Sequence, residues 1–100
     1  MNFEFLTEAR AEFEQAVAYY DQCGLGLGDE FTDEVEAAIR RVLTQPEAWS
    51  PYHHDTRRCL TRRFPYSVVY QIRPNLILVI AVAHLRREPG YWAARLASPQ

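Results

Sequence analysis

The chain has no lysine: all eleven of its basic residues are arginine, an absence that a GC-rich genome explains as easily as any function. Cysteine is scarce too. Cys23 and Cys59 lie far apart and belong to no CxxC or Cys/His metal spacing, so a disulfide scaffold is disfavoured and two reduced thiols in a cytosolic protein are expected. Long apolar runs are missing. The longest, Leu76 to Ala83, falls well short of the roughly 20 residues that a membrane-spanning helix needs. The opening residues, Met1 to Phe5, carry neither a basic stretch nor an apolar core of the kind that directs secretion, so a cytoplasmic protein with no membrane association is expected.

One hundred residues, 48% apolar and 24% charged, suit one compact domain spanning 1–100. The formal charge of −2 conceals two unlike halves. Residues 1–50 hold three arginines and eleven carboxylates, a balance of −8, whereas residues 51–100 hold eight arginines against Asp55 and Glu88, a balance of +6. Such halves either neutralise each other within one fold or present an acidic and a basic face to different partners.

Phe3 and Phe5 alternate with Glu4, the pattern of a half-buried strand. Thr7 stands where an N-cap belongs, and Ala9, Phe13, Ala16, Val17 and Tyr20 then share one face of a helix ending near Cys23. Gly24 and Gly26 interrupt it. Asp29 is a plausible start for a second helix, with Phe31, Val35, Ala38, Ile39 and Val42 repeating the same spacing until Pro46 disfavours helix at Gln45. Two such helices predict an antiparallel hairpin, with Glu12, Glu14, Glu30, Asp33, Glu34 and Glu36 mostly on its outer, acidic face. Residues 46–56 read as a surface loop. Two strands follow, Arg57 to Phe64 and Tyr66 to Arg73, the latter with Tyr66, Val68, Tyr70 and Ile72 on one face. Past a turn at Pro74-Asn75, the continuously apolar Leu76 to Ala83 suggests a strand covered on both sides. The expected fold is α+β: an N-terminal strand, a two-helix antiparallel hairpin packed on a four-stranded, mainly antiparallel sheet, and a short C-terminal helix.

The run Arg62-Arg63-Phe64-Pro65-Tyr66-Ser67-Val68-Val69-Tyr70, together with Val79-Ile80-Ala81-Val82-Ala83-His84-Leu85-Arg86-Arg87-Glu88-Pro89-Gly90-Tyr91-Trp92 and Arg95, resembles the RelE/ParE toxins. The strand and two-helix opening with Tyr19-Tyr20 is similar as well, so the likeness covers nearly the whole chain. It implies a bacterial toxin of a type II toxin–antitoxin system, toxic to its own host and held inactive by a cognate antitoxin whose tail wraps it. Two activities divide the family chiefly: inhibition of DNA gyrase, and ribosome-dependent cleavage of mRNA.

Cleavage through a 2′-hydroxyl needs a base, an acid for the leaving oxygen and cations around the phosphorane. His84 has a reference pKa near neutrality, Tyr91 is a proton donor or a stacking surface, and Arg62, Arg63, Arg86 and Arg87 are phosphate-binding candidates. His84, Arg87 and Tyr91 are therefore the catalytic candidates under that reading. Two features oppose it. The RNA-cleaving relatives are strongly basic, and Leu85 stands where they place a charged side chain. Under the competing reading Arg62, Arg63, Arg86, Arg87, Tyr91 and Trp92 bind the target or the antitoxin, since these residue types are enriched at interface hot spots. Structural roles are also open: His84 as a hydrogen-bonded strand-end residue, Tyr66 and Tyr70 in the core, and Tyr91 and Trp92 as anchors of a short helix with Pro89 near its first turn. Adjacent His53 and His54 point apart in an extended loop and suggest no metal. The implied partners are an antitoxin and either DNA gyrase or the ribosome with its mRNA, with no metal or other cofactor.

Overall fold

The computed structural model describes residues 1–96. Its elements are β1 (Asn2–Phe5), α1 (Thr7–Cys23), α2 (Leu27–Thr44), β2 (Arg57–Leu60), β3 (Tyr66–Arg73), β4 (Leu76–His84) and α3 (Ala93–Leu96). The expected order and the α+β class are both present. The four strands form one sheet in the order β1-β4-β3-β2, with β1 parallel to β4 and the other two pairings antiparallel.

Three boundaries differ from the sequence-based expectation, each for a local reason. Thr7 is the first residue of α1 and not its cap. The backbone N–H of Leu6 still donates to Val79 O at 2.9 Å, holding Leu6 extended, and the helix begins immediately afterwards with Arg10 N donating to Leu6 O. The second helix starts at Leu27, two residues before Asp29, because Gly26 adopts φ 77°, a left-handed conformation cheap only for glycine, and turns the chain at once. Its free Gly28 N–H is then capped from the preceding helix, by Asp21 Oδ1 at 3.1 Å. Strand β2 stops at Leu60 and not at Phe64. Thr61 turns the chain there, its hydroxyl donating to Phe64 O at 2.8 Å, and Phe64 takes φ 71°.

The helical hairpin covers one face of the sheet. Phe31, Val35, Ile39 and Val42 from α2 meet Val68 and Tyr70 of β3 and Ile77, Val79 and Val82 of β4 in a buried core. Tyr70 is sealed in, and its hydroxyl donates to Pro46 O at 2.6 Å. Burial pushes that phenol up to about 12. Phe13 and Val17 are only partly buried, Phe13 lying between Phe5 and Phe31 at ring distances of 5.8 and 6.0 Å. Ile72 shares the Tyr70 face as expected, pairing with Ile77, but lies towards the strand end, where it is exposed and lines an open cleft with Met1 and Pro46.

Strand β4 departs from simple alternation, and the pairing explains why. Tyr70 pairs with Val79 and Val69 with Ala81, so Ile80 is an extra residue, a β-bulge. Ile77, Val79 and Val82 consequently face the helices, while Ile80, Ala81 and Ala83 face the other way, against Val69 and Trp92. Both faces of β4 are thus covered, as its unbroken apolar run suggests. On the outer side the cover is the loop around Tyr52 and the tail around Trp92, whose rings lie 5.5 Å apart. No helix among the described residues is long and apolar enough to cross a membrane.

Candidate partner-binding site

Strand β1 has four residues and β4 has nine, so the β1 side of β4 loses its strand partner after Val79. Backbone polar groups at such an edge need other partners if water is kept away. Glu12 and Arg95 supply them. Glu12 Oε1 accepts from Val82 N at 3.1 Å, and Arg95 Nη1 donates to Ile80 O at 3.0 Å, at the bulge. The two side chains join through a two-pronged ion pair of 2.9 and 2.8 Å, each 16% exposed. A planar guanidinium matches a carboxylate in this way, and each group desolvates the other's surroundings without losing its partner. The hydrogen bond to Glu12 raises the Arg95 pKa.

Tyr91 completes the cluster. Its hydroxyl donates to Glu12 Oε2 at 2.6 Å, and the Arg87 guanidinium lies over its ring, 3.8 Å from the centroid. Burial, followed by the bond to Glu12, raises the Tyr91 pKa far above the ordinary tyrosine value. The phenol therefore keeps its proton at neutral pH and keeps it on Glu12. An open cleft of 190 Å³ adjoins this cluster, bordered by Glu12, Gln15, Tyr19, Tyr66, His84 and Arg87.

His84 ends β4 opposite Tyr66, its ring 5.1 Å from the tyrosine ring. Its Nδ1 accepts from the backbone N–H of Arg86 at 3.0 Å, so that nitrogen carries no proton. Leu85 N donates to Pro65 O at 2.9 Å, which brings the Thr61–Pro65 turn beside the turn after β4. All four candidate arginines thus sit at one end of the sheet, and all are exposed. They do not converge on one point. Arg63 turns towards α2, pairing with Glu30 at 2.8 Å while its backbone N–H donates to Glu34 Oε1 at 2.7 Å. Arg62 and Arg63 also lie in a turn, so strand alternation does not set their directions. Arg87 alone of the four stacks on Tyr91.

The remaining candidates fall on the fold's inner side. Trp92 is 1% exposed and anchors the tail, so its ring borders an inner recess and not the open interface surface expected of it. The short helix begins at Ala93, so Pro89 lies in the turn before it and not in its first turn. Glu12 is a second correction: it faces inwards and not onto an acidic outer surface. The signal was present in the spacing. Residues 9, 12 and 16 recur at helical intervals, and Ala9 and Ala16 are the buried residues of α1, so a carboxylate between them has to have a partner. His53 and His54 have ring centroids 6.4 Å apart, and no group of three metal-ligating side chains occurs among the described residues. Cys23 is exposed and Cys59 buried, both free. Burial raises the Cys59 thiol pKa, partly offset by the Arg41 guanidinium.

A helical hairpin laid across a four-stranded mixed sheet, with a side-chain pair completing the central strand and an arginine-bearing rim, defines a small two-layer α+β protein. The chain belongs to the ParE toxin family of type II toxin–antitoxin systems, parDE, whose family model matches residues 3–89. It is the toxin component of such a system, and a cognate antitoxin is its counterpart. In fold it is similar to a chain of the chromosomal ParDE TA system from P. aeruginosa, with a TM-score of 0.64 and 15% identity, covering 86% of this chain and 97% of that one. No curated protein matches it by sequence.

Proposed function

We propose that this toxin arrests growth in the bacterial cytoplasm by binding a cellular protein, DNA gyrase being the target that its family resemblance implies. The observation that carries this reading is the Tyr91 hydroxyl, committed to Glu12 at 2.6 Å with its proton held more tightly than in free tyrosine. A general acid works best with a pKa near the operating pH, and this phenol is moved away from it. Arg95 is likewise occupied by Glu12, and Arg63 by Glu30. The net charge of −2 also removes the long-range attraction that would draw the chain to a phosphate-rich ribosome. Arg62, Arg86 and Arg87, exposed at one sheet end, remain as contacts for target or antitoxin. The domain assignment, one toxin domain over 1–100 without metal or other cofactor, belongs to the same reading.

Induction of the toxin without its antitoxin is the test. Growth arrest with blocked replication or DNA damage, translated messages remaining intact, is expected. His84→Gln should not abolish toxicity in a protein that melts normally, since no proton transfer depends on it. Rapid codon-phased cleavage of translated mRNA, abolished by His84→Gln in stably folded protein, would make the chain an endonuclease instead.

A further inference from the structure

On the outer face of the sheet lies a second recess, which shares only His84 and Arg87 with the Glu12 cleft. Its volume is only 30 Å³, and Arg58, Ser67, His84, Arg87 and Trp92 contribute to its wall. No carboxylate among the described residues lines it. The chemistry of that wall is one-sided. Arg58 lies over the Tyr52 ring at 4.4 Å and Arg87 over the Tyr91 ring at 3.8 Å, and neither guanidinium makes an ion pair or hydrogen bond among the described residues. A ring holds a guanidinium by its face and leaves the N–H edge free. His84 accepts at Nδ1, which puts its ring proton on Nε2 as a donor. Ser67 is buried, and the Trp92 indole N–H is buried with no hydrogen-bond partner among the described residues. An unmade hydrogen bond of that kind costs free energy that a suitable acceptor restores.

Two unpaired guanidinium groups and buried donors, with no carboxylate in the wall, call for an anion. We propose that this recess receives the carboxylate of an aspartate or glutamate side chain from a protein partner, with Arg58 and Arg87 as its cationic walls. The counterpart of a toxin of this family is a protein antitoxin, whose anionic side chains are carboxylates, and a planar carboxylate matches the free edge of a guanidinium. Arg58, Ser67 and Tyr52 enter the functional surface through this assignment, and the recess joins the arginine-bearing rim through Arg87. The identity of the carrier as antitoxin or target rests on the binding reading above.

The experiment uses the free chain, so its outcome is separate from that of the growth-arrest test. The indole N–H resonances of Trp49 and Trp92 are followed by NMR while acetate replaces chloride at constant ionic strength, and in a second arm while dimethyl phosphate does so. Acetate is expected to move the Trp92 signal saturably and leave Trp49 still. Arg58→Gln combined with Arg87→Gln should weaken acetate binding at least tenfold, with the exposed Arg87→Gln alone giving a smaller loss should the double variant fold poorly. Dimethyl phosphate should bind more weakly than acetate. The proposal is overturned by the absence of a saturable Trp92 shift, by equal acetate affinity in wild type and the Arg87 variant, or by dimethyl phosphate binding more tightly, which would mark a nucleic-acid backbone site.

Discussion

The two halves of β4 are held by different means. From Leu76 to Val79 the strand has backbone ladders on both sides, β1 on one and β3 on the other. From Ile80 to His84 only β3 remains, and side chains from α1 and the tail replace the missing strand. A ladder needs no particular side chain to make its bonds. The second half depends on Glu12 and Arg95, 83 residues apart in sequence, being present and charged. One consequence concerns function: the pair that completes the strand also fixes Tyr91, and with it Arg87, so the rim proposed to meet partners is positioned from the first helix.

Substitutions can break this contrast by degrees. The largest loss is expected in the laddered half. Val79→Asp places a carboxylate at a fully buried site and should cost at least about 4 kcal/mol, most of a small domain's stability, read as loss of cooperative melting. In the other half Glu12→Ala leaves the Val82 N–H and the Tyr91 hydroxyl without partners and Arg95 with only Ile80 O. Because the pair is 16% exposed, the cost should be about 2–3 kcal/mol, somewhat below that of breaking a fully buried pair. Arg95→Met in the Glu12→Ala background should cost far less than in wild type, a coupling that a double-mutant cycle in urea measures.

Tyr91→Phe removes one hydrogen bond to a carboxylate and should cost about 1–2 kcal/mol, without loss of the Glu12–Arg95 pair. The pH dependence is smaller still. Tyr70, pushed up to about 12, and Tyr91, also raised, both keep their protons to higher pH in the folded state than in the unfolded one, where tyrosine titrates near 10. Their stabilisation is therefore complete well below pH 10 and is lost progressively as pH rises from there through the raised folded-state values. The unfolding free energy from urea titrations should fall by less than about 1 kcal/mol between pH 9 and pH 10, and Tyr70→Phe with Tyr91→Phe should flatten the slope.

Periodicity made most of the framework legible, since Phe31, Val35, Ile39 and Val42 can share a helix face only by being buried together. The apolar run of β4 likewise announced a strand covered twice. Its bulge was not legible, because a run of apolar residues looks the same in either phase and only the pairing of Val69 with Ala81 shows Ile80 to be extra. The arginines at the sheet end were recognisable as a group, but their directions were not: Arg63 follows the carboxylates of α2, which no local pattern encodes. Arg58 looked like an ordinary strand residue until Tyr52, from a loop without periodicity, came to lie beneath it. Glu12 is the exception, readable from its place between Ala9 and Ala16.

The central claim is that side chains complete β4 where β1 ends, and amide hydrogen exchange tests it at single residues. The Val82 amide, bonded to Glu12, and the Leu6 amide, bonded to Val79 O, report on the two halves separately. In wild type both should be protected. In Glu12→Ala, under conditions where the chain is folded, Val82 should lose protection by at least tenfold more than Leu6. Protection of Val82 that survives the substitution, or falls only in step with Leu6, would contradict the account.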